Sequence, residues 1–248
     1  QDGEAPVLAF GGDVIFDAPI EYALRRTSSA RDVAGSYAPI FEDVAPVLSA
    51  ADLAVVNLET PVAARTRSRS DEHEVPTFAA PDAFLAAVAA AGVDAVGVAN
   101  NHAYDQGVAG LGETLAAVRA AGLVAVGAGA TTSMAGAATI VRVRGLDLAL
   151  VQLSEATNWR VMDEEPDAPR IALLDEDNLD RHVRAARASG AALVVVMFHW
   201  SDGRDPDHVP STRMRRFAEL AASAGADLVV GHGTHLPAGS EVRVTLYG

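Results

Sequence analysis

The chain has 248 residues, half of them apolar, with no cysteine and a formal net charge of -14 from 19 Lys and Arg against 33 Asp and Glu. That length and apolar share suit one α/β domain over residues 1–248 with a sizeable buried core. The acidic balance argues against a nucleic-acid partner, which is held by basic surfaces. The absence of cysteine excludes disulfides, zinc–thiolate sites, iron–sulfur clusters and thiol nucleophiles, so any metal must sit among His, Asp, Glu and Asn.

In chain order, short branched-apolar runs suitable for strands fall at 6–13, 51–59, 93–102, 123–129, 146–154, 192–200, 226–235 and 242–248. Between them, residues 81–92, 108–122, 178–190 and 212–225 read as amphipathic helices, each closed by a glycine. Strand, turn and alanine-rich helix in alternation is the pattern of α/β layering. Two charged or irregular stretches, 64–76 and 157–170, are long for plain connections. No apolar run reaches the ~20 residues needed to span a membrane as a helix. The chain opens on "QDGEAP", without a basic or apolar targeting segment, and stops on the strand-like "TLYG". A removed N-terminal anchor or signal and a continuing C-terminus are therefore expected.

The chemically useful side chains fall at the C-terminal ends of these strands, where open α/β sheets bind their ligands. Asp13 ends the first run and Glu59 the second; Asn100, Asn101 and His102 end the third, His199 the sixth, and His232 and His235 the seventh. Each alone has a plainer reading: Asp13 as a helix cap or turn residue, Asn101 as a turn residue, His199 as a hydrogen-bonded core imidazole. Five strands converging on carboxylate, amide and imidazole groups are better explained by divalent metal. Such a donor set suits Mn, Fe or Zn, with Mg possible, at one or two ions per chain. Asp105, three residues after His102, is placed to orient that imidazole. His73 and His182 read as surface residues. His208, in the 201–211 loop, is placed to reach a substrate.

With those residues in view, the chain resembles the CapA family of poly-γ-glutamate capsule synthesis, within the calcineurin-like metallophosphoesterase superfamily. The resemblance is carried by "GGDV" at 11–14, "VVNLETPV" at 55–62, the "ANNHAYDQG" block within 93–122, "VGAG" at 126–129, "VVMFHW" at 195–200 and "GHGTHLPAG" within 217–242. It implies a four-layer α/β/β/α sandwich of metallophosphoesterase type. It also implies that Asp13 and His235 bind one metal, that Asn101, His199 and His232 bind the other, and that Glu59 bridges them. His102 would then be the acid that protonates a leaving group or the group that steadies the transition-state oxyanion. The chain departs from the pattern at Ile15 and at Gly233, where many relatives carry a further histidine, and "SDGRDPD" follows His199 and Trp200.

The function expected is that of a metal-dependent hydrolase using a metal-activated water on a phosphoester or amide-type substrate, linked to poly-γ-glutamate or another cell-surface polymer. Asn100, Arg204 and His208 are candidate substrate contacts, as are Arg65, Arg67 and Arg69 for an anionic group. The alternative is a non-catalytic binding or assembly protein in anionic-polymer synthesis or export. An extracytoplasmic location is expected, whether secreted, periplasmic or anchored facing outward.

Overall fold

A computed structural model describes residues 5–27, 37–64, 76–159, 168–200 and 209–243. Arg65, Arg67, Arg69, His73, Arg204, His208 and most of the expected strand 242–248 lie outside them.

Four strands form one sheet, all parallel: β1 (Leu8–Val14), β2 (Leu53–Leu58), β3 (Ala95–Gly97) and β4 (Val124–Val126), in that spatial order. The helical elements before β4 are α1 (Ala18–Thr27), a 3-10 turn at Ala38–Phe41, α2 (Ala45–Leu48), α3 (Asp82–Ala90) and α4 (Gly107–Ala120). A two-residue ladder joins β5 (Ala128–Gly129) to β8 (Arg170–Ile171), with α5 (Thr132–Gly136) following β5. The second four-stranded sheet comprises β6 (Thr139–Val143), β7 (Leu146–Ser154), β9 (Leu193–His199) and β10 (Leu228–His232), in the order β10-β9-β7-β6. Its helices are α6 (Glu176–Ala188) and α7 (Thr212–Ala224). Among the described residues no helix is long and apolar enough to cross a membrane.

The layering follows from the period-2 alternation of strand side chains. On β2, Val56 and Leu58 pack with Phe84, Leu85 and Val88 of α3, while Leu53 and Val55 face the other way. On β9, Val194, Val196 and Phe198 pack with Leu179 and Val183 of α6 and Phe217 of α7; Val195 and Met197 face the first sheet. Leu53, Val55 and Ala95 thus share one core with Leu148, Leu150, Val195 and Met197. The order is helices, sheet, sheet, helices, which is the expected α/β/β/α sandwich. Both sheets are covered on both faces, hence the near-continuous apolar runs of β2, β7 and β9.

The four expected helices are present, and their ends have local causes. Asp175 accepts a hydrogen bond from Asn178 N at 2.7 Å to start α6, and Ser211 accepts one from Met214 N at 3.2 Å to start α7. Gly225 stops α7 with φ +118°, a conformation that costs glycine no Cβ clash.

Several expectations change. The expected strand 93–102 pairs over only three residues before the chain turns, so Asn100, Asn101 and His102 sit on the loop beyond β3. β6 was not foreseen; it pairs antiparallel with β7 through Arg144 and Gly145, both at positive φ. His182 is not at the surface: it is 8% exposed, and a Cβ added to Gly136 of α5 would meet its Nε2 at 2.0 Å. Leu179, His182, Val183 and Ala186 are the buried positions of α6, the i, i+3, i+4, i+7 spacing of one helical face. Burial, then the charge of Arg181, holds the His182 pKa below its usual value.

Candidate metal centre

The centre is the polar continuation of the core between the sheets. Following alternate residues along each strand, Leu53 and Val55 lead to Asn57 and Glu59, Val195 and Met197 to His199, Leu148 and Leu150 to Gln152, and Val230 to His232. Asp13 reaches the same face by a bulge. The β1–β2 register slips between Phe10 and Asp13, so Phe10 sits opposite Val55 and Asp13 opposite Asn57. That extra residue moves Asp13 from the helix-facing side to the inter-sheet side.

Asn57 is the hub. Its Nδ2 donates to Asp13 Oδ1 at 2.8 Å and lies 3.3 Å from His199 Nδ1. Its Oδ1 accepts from Gln152 Nε2 at 3.0 Å and Asn100 Nδ2 at 3.3 Å. Gln152 Oε1 in turn accepts from Ala99 N at 2.8 Å. A Cβ on Gly97 would lie 2.4 Å from Gln152 Nε2, so a glycine there leaves room for this amide. Asn57 and Gln152 were not singled out from the sequence, although counting back two residues from Glu59 along the strand reaches Asn57.

Asp13, Glu59 and His235 each offer one ligand atom within 4.8 Å of the others. Glu59 is 2% exposed, and its two oxygens diverge: Oε1 lies 3.4 Å from His199 Nε2, and Oε2 lies 3.8 Å from His235 Nε2. His199 Nε2 also meets Asn101 Oδ1 at 2.7 Å. Glu59 thus stands between an Asp13–His235 side and an Asn101–His199 side. His232 is in register with His199 on the neighbouring strand, but its Nε2 faces the Gly11 carbonyl at 3.1 Å. Gly233, at φ +91°, donates its N–H to Asp13 Oδ2 at 3.0 Å.

Burial, then the charges of Asp13 and Asp105, push the Glu59 pKa up to about 8. Its Oε2 and Asn100 Oδ1 have no hydrogen-bond partner among the described residues. Burial pulls His199 down to about 4 and lowers His232, so both imidazoles are neutral, the form that ligates metals. A buried carboxylate with an orphaned oxygen, beside neutral imidazoles and an amide oxygen, fits a divalent cation.

Next to this set, His102 Nδ1 lies 2.7 Å from Asp105 Oδ2. Asp105 is fully buried and also accepts from Phe78 N at 2.7 Å and Trp159 Nε1 at 3.0 Å. The Phe78 ring packs on His102 with centroids 4.4 Å apart. Asn100 is 1% exposed and spends its amide hydrogens on Leu58 O, at 2.8 Å, and Asn57.

Residues 7–246 match the family described as bacterial capsule synthesis protein PGA_cap. The chain belongs to this family. Among PGA_cap relatives, it is 29% identical over 201 residues to the capsule biosynthesis protein CapA of Bacillus anthracis, covering 79% of this chain and 48% of that protein. It is 30% identical over 214 residues to a probable polyglutamine synthesis accessory protein of Mycobacterium tuberculosis, covering 81% of this chain and 55% of the other. The chain therefore spans about half the length of the curated PGA_cap relatives it matches. A hypothetical protein from Thermus thermophilus shares the fold, with a TM-score of 0.52, 20% identity, and coverage of 96% of this chain and 71% of that one.

Proposed function

We propose that this chain is a metal-dependent hydrolase acting on a phosphoester or amide-type centre in an anionic small molecule or polymer, at an extracytoplasmic location. The observation that carries the reading is the buried His102–Asp105 pair beside the Glu59, His199 and Asn101 donors. His102 is held by its own carboxylate next to these donors, which suits an imidazole that carries a proton to or from a reacting group. Asp13 and His235 would hold one cation, Asn101, His199 and His232 the other, with Glu59 between them. When bound, such ions supply Lewis-acid polarisation and an acidified water. The chain's own part is then to hold the donors and to move a proton. Asp105 Oδ2 accepts the His102 Nδ1–H, which leaves His102 Nε2 to carry a proton to the leaving-group atom. The names of two relatives, a capsule biosynthesis protein in Bacillus and a probable polyglutamine synthesis accessory protein in Mycobacterium, support a poly-amino-acid polymer as the substrate class.

The test is elemental analysis of protein purified without chelators, with turnover on phosphomonoesters, phosphodiesters and γ-glutamyl peptides after Mn reconstitution. His102→Gln is expected to keep the metal and lose about 10²–10⁴-fold in rate. Unchanged turnover in that variant, or no metal uptake by the parent protein, would overturn the reading.

A second reading, a non-catalytic assembly protein, is favoured by the way His199 is spent. Its Nδ1 faces the Asn57 amide donor, an arrangement that leaves the proton on Nε2, the atom turned to Glu59 and Asn101. Metal content without turnover on any of these substrates supports it.

A further inference from the structure

Beyond β7, two adjacent residues each hold a different half of the centre. Asn158 N donates to Asn101 O at 2.9 Å, and Asn158 Oδ1 accepts from Asn101 Nδ2 at 3.2 Å. A primary amide carries its oxygen and its NH₂ on opposite sides. With Nδ2 taken by Asn158, the Asn101 Oδ1 is turned to the His199 side, 2.7 Å from Nε2. The opposite orientation would present hydrogens where a cation needs a lone pair. The next residue, Trp159, donates its indole Nε1–H to Asp105 Oδ1 at 3.0 Å. Indole has one donor and no acceptor, so this bond fixes which Asp105 oxygen is left for His102. The Asn158 amide nitrogen also lies 3.4 Å from both ring nitrogens of His102.

We infer that Asn158 and Trp159 are positioning residues of the reaction centre: Asn158 turns the Asn101 carbonyl oxygen to the metal side, and Trp159 locks the carboxylate that holds His102. The Trp159 half rests on the hydrolase reading above; the Asn158 half requires only that the centre bind metal. The two residues therefore separate two properties that a merely structural loop would lose together.

The experiment uses Mn binding by calorimetry, the His102 Nδ1–H resonance by NMR, and kcat and KM where turnover is found. Asn158→Ala is expected to weaken Mn binding about 10–100-fold, the usual cost of removing a partner that orients a ligand. Asn158→Asp, which keeps the acceptor oxygen, is expected to bind Mn at least as tightly as the parent. Trp159→Phe is expected to leave Mn binding within about threefold, to shift or broaden the His102 Nδ1–H resonance, and to lower kcat without raising KM. Mn affinity unchanged in Asn158→Ala, or lowered equally in Trp159→Phe, would overturn the assignment. A parent protein that binds Mn but turns nothing over fails the hydrolase reading alone. The Mn affinities and the His102 resonance then still decide the clamp.

Discussion

The Asn57 amide nitrogen on β2 lies 3.3 Å from His199 Nδ1 on β9, across the gap between the two sheets, while donating to Asp13 Oδ1 at 2.8 Å. One fully buried side chain therefore ties a carboxylate of the first sheet to an imidazole of the second. Its orientation is imposed from behind, because Gln152 must accept from Ala99 N and so offers only its NH₂ to Asn57 Oδ1.

Asn57→Leu keeps the volume and removes every one of these bonds. It is expected to cost about 1–3 kcal/mol for each buried group left without a partner, and to weaken metal binding through a freed Asp13. Urea denaturation in chelator reads the first effect and Mn titration the second. A total loss below about 1 kcal/mol would contradict the hub role.

Glu59 makes the metal-free protein pH-sensitive in a defined direction. Burial first, then the charges of Asp13 and Asp105, raise its folded pKa from the ordinary 4.5 to about 8. The folded state therefore keeps a proton that the unfolded state gives up. Its contribution to stability is fully present below pH 4.5 and is lost as pH rises towards 8. Metal binding must displace that proton, so Mn affinity rises over the same window and levels off above it. Melting temperatures in EDTA and in Mn between pH 5 and 8 are expected to diverge with pH. Parallel curves would remove Glu59 from the donor set.

His235 is the exposed member of the Asp13–Glu59–His235 group, with 48% of its side chain accessible and φ at +55°. His235→Gly removes the imidazole at a backbone conformation that glycine adopts freely. Bound metal is expected to fall while the melting temperature in EDTA stays within a few degrees, as for a surface substitution. Full metal content in this variant would show that the Asp13 side of the centre does not use His235.

What the sequence made legible was whatever strand and helix periods carry. Glu59, His199 and His232 extend apolar stripes two residues at a time, so their convergence could be read from strand ends alone. Asn57 and Gln152 lie on the same stripes but look like ordinary amides until the partner sheet is in place. The buried position of His182 was available from the spacing around Leu179 and Val183. Phe78, Asn158 and Trp159 were not accessible in this way, because they sit on irregular segments whose path is set by tertiary packing. Short elements escaped for a related reason: α2 and α5 are single turns, too brief to show a helical period.

The bonds from Gly233 N to Asp13 and from His232 to the Gly11 carbonyl join residues 220 and 221 positions apart, between edge strands of two different sheets. Contacts of such separation form late, after the intervening chain has collapsed and both sheets have docked. The donor set is therefore a product of complete folding and has no counterpart in either sheet alone. A cation held by Asp13, Glu59 and His235 would act as a clasp on that seam. It would bind only the closed molecule and stabilise closure in proportion to the logarithm of its concentration.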